Sequence, residues 1–153
     1  MYNDYEIFSL AATGIVFTAA DWNRKLPEEG CFSEEELNWL RSRFNQIAHL
    51  RNLLCGEFYR LTEEFLSLRQ DIWCAYQAWN PEMASGAVVC FRRKDAVDTS
   101  RQFRLRNIEA DTRYEITDLE GNTEIVCGTE IRNLNVVLEQ PESVFVRFYK
   151  KLT

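Results

Sequence analysis

The sequence predicts an α+β protein in which a strand–helix unit precedes an antiparallel β-sandwich of about seven to eight strands. Three observations lead there. Asp71–Arg93, DIWCAYQAWNPEMASGAVVCFRR, reads as two strands joined by a turn. Upstream of it, one long segment repeats apolar residues every three or four positions, the spacing of a one-faced helix. Downstream, short segments alternate apolar and polar residues between turn signals about every 8–12 residues, as in sandwiches and barrels. Residues 1–56 therefore form the strand–helix piece, dominated by a helix over residues 33–55, and residues 57–153 form the sandwich.

In order along the chain, Asp4 to Ala12 is a short apolar segment of helical composition, closed by Thr13-Gly14. Ile15 to Ala20 is nearly continuous and β-branched, the pattern of a buried strand, with Asp21 and Trp22 just past its end. Ser33 is placed to cap the long helix, with Glu36 three residues later as the other half of a capping box. Leu37, Leu40, Phe44, Ile47, Leu50 or Arg51, and Leu54 give one apolar face, and Gly56 stands as the terminating residue. Glu35, Asn38, Arg41, Ser42, Asn45 and Arg51 fall on the other face. Such a helix must pack against something large, and a lone strand–helix unit cannot cover both sides of its own strand. The first third of the chain thus reads as a fragment of a larger α/β architecture or as a segment docked on the sandwich.

Glu57 to Thr62 is a short extended connector. In the central hairpin Trp73, Ala75, Gln77 and Trp79 share one face and Cys74, Tyr76 and Ala78 the other. Asn80-Pro81-Glu82 stops the first strand, because proline has no N–H for the ladder and restrains the residue before it. Further strands are expected over Arg101–Asn107, Arg113–Leu119, Thr123–Cys127, Ile131–Glu139 and Ser143–Leu152, with Glu120-Gly121-Asn122 as a hairpin turn.

Composition narrows the function classes. An apolar content of 46% and an aromatic content of 13% supply a core and exclude widespread disorder. The net charge of −6 excludes a general nucleic-acid binder, which needs a basic face. Arg101, Arg104 and Arg106, together with Arg92, Arg93 and Lys94, read either as a locally basic sheet face or as a solvated row. No apolar run approaches the roughly 18 residues that span a bilayer. The acidic start MYNDYEIFSL lacks the basic region of a signal peptide. The expectation is a soluble chain with no membrane partner, cytoplasmic, or periplasmic where a longer parent carries a signal. Five cysteines (Cys31, Cys55, Cys74, Cys90, Cys127), widely spaced and without a CxxC pair, argue against a zinc ribbon or a disulfide framework. Buried free thiols are expected, with Cys74 and Cys90 as candidate cross-strand neighbours.

Chemistry-bearing motifs are sparse. The single histidine, His49, sits mid-helix in QIAHLRN and reads as structural, so no metal site and no cofactor is expected. There is no nucleophile elbow, phosphate loop or dinucleotide glycine pattern. Two sets of residues remain as candidates. Asp21 and Trp22, an acid beside an aromatic at a strand exit, read either as substrate-binding groups or as loop anchors. Trp73, Trp79 and Tyr76 read as a sugar-stacking or interdomain aromatic face, with core packing as the other reading.

Four runs, GEFYRLT (Gly56–Thr62), WCAYQ (Trp73–Gln77), GAVVCFRR (Gly86–Arg93) and RYEITDLEGN (Arg113–Asn122), resemble the C-terminal end of α-galactosidase-type enzymes of glycoside hydrolase family 36, related to family 27. Tyr114, Ile116, Asp118 and Gly121 match that family's Tyr-x-Val/Ile-x-Asp-x-x-Gly hairpin. The run from Ala12 to Ile47 resembles the last strand and helix of the family's catalytic (β/α)8 barrel, and the sequence departs from the family at Asn107–Ala110. The resemblance implies a non-catalytic β-sandwich that supports a barrel, with that barrel as partner and an α-galactoside or other oligosaccharide as the parent's substrate. It also implies that the catalytic carboxylates lie on earlier strands, so no residue here matches them. A carbohydrate-binding module and a stand-alone interaction domain are the alternatives.

Overall fold

A computed structural model of the chain describes residues 3–11, 32–63 and 68–152. The predicted strand over residues 15–20 lies outside the described residues. Among the described residues the first helices are α1 (Asp4–Ala11) and α2 (Glu34–Leu54). The capping box forms as expected: the Glu36 N–H donates to Ser33 Oγ at 3.2 Å, and the Ser33 N–H donates to Glu36 Oε2 at 2.7 Å. Ser33→Ala is expected to cost about 1 kcal/mol in urea-induced unfolding, the usual worth of such a cap. The apolar face of α2 buries Leu40, Ile47, Leu50 and Leu53, while Arg51 is exposed. The helix ends at Cys55 with φ −71°, so no left-handed residue closes it. Gly56 instead leaves room for the Trp79 carbonyl, which a Cβ there would strike.

Eight strands follow among the described residues: β1 (Glu57–Arg60), β2 (Trp73–Asn80), β3 (Ser85–Arg92), β4 (Ser100–Arg104), β5 (Arg113–Thr117), β6 (Thr123–Cys127), β7 (Asn133–Val137) and β8 (Ser143–Lys151). They build two antiparallel sheets, one of six strands in the order β1-β2-β3-β8-β5-β6 and one pairing β4 with β7. The predicted sandwich is therefore present, and the chain moves to the small sheet and back twice. The extended connector Glu57–Arg60 is a true edge strand, paired with β2 from Glu57↔Trp79 to Arg60↔Tyr76. Where a strand was expected from Ile131, a one-turn helix α3 (Gly128–Arg132) intervenes. Its start is fixed by Glu130, whose carboxylate accepts the Cys127 N–H at 2.8 Å.

The molecule has three layers. Helices α1 and α2 cover one face of the large sheet, burying Ile7, Phe8 and Leu50 against Tyr76, Val89 and Phe148. The small sheet covers part of the other face, burying Phe103 and Val136 against Trp73 and Cys90. Strands β2 and β3 are thus enclosed on both sides, and every residue of β3 is buried. One core draws on residues from both sides of position 56, which explains what the apolar face of α2 packs against. Covering on both faces, rather than one, also accounts for the near-continuous apolar run AVVCF.

The turn of the β5–β6 hairpin places Gly121 at φ +84°, as its sequence requires. The Asp118 carboxylate organises that turn by accepting the Glu120 and Asn122 N–H groups, each at 2.9 Å. In β3, Gly86 faces the flat pair formed by Trp79 and Tyr149, whose rings stack at 5.8 Å and 6°. A Cβ at Gly86 would meet the Tyr149 ring and lie 2.6 Å from the Ala78 carbonyl oxygen. Gly86→Ala is therefore expected to destabilise the fold by about 2 kcal/mol, the cost of overpacking, and to lower the Tm in a thermal scan.

Candidate functional site

The two candidate sets from the sequence fare differently. Asp21 and Trp22 lie outside the described residues. Trp73 and Trp79 point between the sheets and Tyr76 points toward the helices, so the three rings share no exposed face. All three are buried. The Trp73 indole N–H donates to the Asp98 carbonyl at 3.0 Å, while the Tyr76 ring stacks on Phe58 at 5.3 Å. In this chain these rings are core.

The basic residues do not form a common face. The Arg92 side chain is buried and bonded to backbone carbonyls, the Arg106 guanidinium lies 5.5 Å over the Tyr59 ring, and Arg101 and Arg104 are exposed on β4. Cys74 and Cys90 pair with Phe91 and Ala75 respectively, and their side chains lie on opposite faces of the sheet. Neither forms a disulfide, and burial raises both thiols above the usual thiol range. The His49 ring rests 5.2 Å from Phe148, and burial lowers its pKa from the usual 6.5. Among the described residues no group of three His, Cys, Asp or Glu side chains is arranged to hold a metal.

Among the described residues three carboxylates are held below the ordinary range, each by hydrogen-bond donors. Asp71 is lowered by Arg69, Glu109 by Lys151 and Thr112, and Asp118 by Asn122. A general acid for glycoside cleavage needs the opposite shift, produced by an apolar pocket or a neighbouring negative charge.

A partly polar depression lies along β5, β6 and β8 and reaches β7 of the small sheet. Two adjoining hollows, about 250 and about 210 Å³, share Ile116, Glu124 and Arg147. The first extends to Asp118 and Asn122, and the second runs between the sheets over Phe145 and Tyr149. Strand pairing builds this site: Ile116 sits opposite Glu124 on one side and Tyr149 on the other. Arg147 lies along the Phe145 ring at 4.9 Å, and its Nη1 is 3.8 Å from Asp118 Oδ2. The sequence carries a faint signal of this site, the inward-facing alternation Phe145, Arg147, Tyr149 on β8. Its partners on β5 and β6 are brought in only by the non-sequential strand order.

Comparison with known proteins gives a likeness of fold. No protein-family model and no curated protein matches the chain. Solved structures do. The GH36 alpha-galactosidase AgaA from Geobacillus stearothermophilus superposes with a TM-score of 0.58 at 20% identity, covering 79% of this chain and 16% of that one. The alpha-galactosidase from Lactobacillus brevis gives 0.57 at 13% identity, over 80% of this chain and 17% of its own. The galactosidase domain of the alpha-galactosidase-sucrose kinase AgaSK gives 0.54 at 19%, over 79% and 17%. The chain thus has the fold of a part of these glycoside hydrolases, and spans about a sixth of their length. AgaA variants have been seen in complex with raffinose and with stachyose.

Proposed function

We infer that this chain is the non-catalytic C-terminal β-sandwich of an α-galactosidase-like glycoside hydrolase, an accessory part that supports and shields a catalytic barrel. The observation that carries this reading is the superposition of most of the chain on a small part of several α-galactosidases. The short motifs shared with the C-terminal end of family 36 agree with it. On this reading residues 1–56 are the closing strand–helix piece of the barrel, and residues 57–153 are the sandwich that packs on it. The buried Trp73, Trp79 and Tyr76 hold the sandwich together, while the chemistry is supplied by carboxylates on the barrel.

The experiment is immunoprecipitation from the source cells with an antibody raised against the recombinant chain. The precipitate is expected to hydrolyse 4-nitrophenyl α-galactoside, because the chain travels with its barrel as one polypeptide or as a complex. A precipitate that contains the chain and has no α-glycosidase activity would contradict the proposal.

A further inference from the structure

The groove between β7 and the β5–β6 hairpin has features that the accessory role leaves unused. Its floor is apolar and its rim carries one guanidinium and one carboxylate, Arg147 and Glu124, without hydrogen-bonded partners among the described residues. The nearest carboxylate to Arg147 is Asp118 at 3.8 Å, beyond hydrogen-bond reach, although the Arg147 side chain is only 34% exposed. An arginine so placed keeps its fork of donors open, pre-oriented by the Phe145 ring beneath it.

We propose that this groove is a binding site for a short neutral oligosaccharide, held by Arg147 and Glu124 over the faces of Ile116 and Phe145. The chemistry selects that class. The Asp118 oxygens accept from the Glu120 and Asn122 N–H groups and from Asn122 Nδ2, so they are taken up within the turn while the charge remains beside Arg147. The rim groups left to a ligand are then one donor fork and one acceptor, and two carboxylates against one guanidinium disfavour an anion. A hydroxyl group both accepts from a guanidinium and donates to a carboxylate, and a row of them suits this rim. The C–H face of a sugar ring suits the apolar floor. Each hollow is smaller than the ~300–1,000 Å³ of a site for a drug-sized ligand, so each admits one ring and the pair a disaccharide-length segment. The site is independent of any catalytic partner.

The test is a titration of the intact 153-residue chain with melibiose, raffinose and maltotriose, followed by amide chemical shifts. Shifts are expected at Ile116, Glu124, Phe145 and Arg147 for at least one of these sugars. Inorganic phosphate and ethylammonium, as charged controls, should leave the same amides in place. Arg147→Met keeps the stem over Phe145 and removes the donors, and Glu124→Gln removes the acceptor charge. Each is expected to weaken binding about tenfold or more, the worth of one charged hydrogen bond, while keeping the wild-type Tm. Absence of shifts at 50 mM sugar would overturn the proposal. So would shifts that persist in both folded variants, or a groove that responds to phosphate or ethylammonium instead.

Discussion

Arg92→Leu is expected to destabilise the protein by about 3 kcal/mol in urea unfolding, because it strips donors at once from the buried Ala96 carbonyl and from the part-buried carbonyls of Leu138 and Glu139. The Arg92 side chain closes the end of β3 and is 8% exposed. Its Nε and Nη2 donate to the Ala96 carbonyl at 3.2 and 2.9 Å, and its Nη1 donates to Leu138 and Glu139 at 3.1 and 2.6 Å. Ala96 lies in the connection that leaves for the small sheet, and Leu138 and Glu139 lie in the one that returns from it. One guanidinium therefore fastens both crossings, and among the described residues no carboxylate forms an ion pair with it. Arg92→Lys is expected to recover little, since a single ammonium cannot span both connections with the planar fork. A loss below about 1 kcal/mol, the worth of one ordinary hydrogen bond, would show that the carbonyls are solvated without it.

Arg43→Met is expected to cost about 3 kcal/mol, from a buried charge network and from packing. Arg43 is 3% exposed on α2. Its Nε donates to Asp4 Oδ1 of α1 at 2.6 Å, its Nη2 to Glu120 Oε1 at 2.6 Å, and its Nη1 to the Leu119 carbonyl. The guanidinium also lies 5.6 Å from the Trp39 ring centre. The residue thus joins both helices to the β5–β6 turn. Methionine fills the volume but leaves Asp4 and the Leu119 carbonyl without that donor, and α1 should loosen before the sheet does. Amide hydrogen exchange should show α1 losing protection first, with the β2–β3 pair keeping it.

These two arginines mark the limits of a reading made from sequence. Arg92 is legible as the polar end of an apolar strand, yet its burial depends on connections that return from β4 and β7. Arg43 carries no local signal, because its acidic partners lie 39 residues before and 77 residues after it. The β2–β3 hairpin was legible throughout: its two-residue alternation, Asn80-Pro81 and Gly86 each fix one local feature. The capping box at Ser33 was legible for the same reason, being complete within four residues. What the alternation could not tell was that both faces of β2 are covered, so it left stacking on sugar and core packing both open for Trp73 and Trp79. Trp73 is covered by the small sheet, assembled from residues 100–104 and 133–137, and Trp79 by a cluster around Tyr149, Leu105 and Ile108, all far apart in the chain. The groove at Arg147 escaped for the same reason, since β8 comes to lie between β3 and β5.

On the proposed reading, the catalytic carboxylates lie outside this chain. The most direct measurement is turnover of 4-nitrophenyl α-galactoside by the purified recombinant chain, at high enzyme concentration and across the acidic to neutral range. The account predicts no release of nitrophenol above the uncatalysed rate. Turnover that disappears on replacing one of the chain's own acids, such as Asp21 or Glu124, in a variant that remains folded would contradict it.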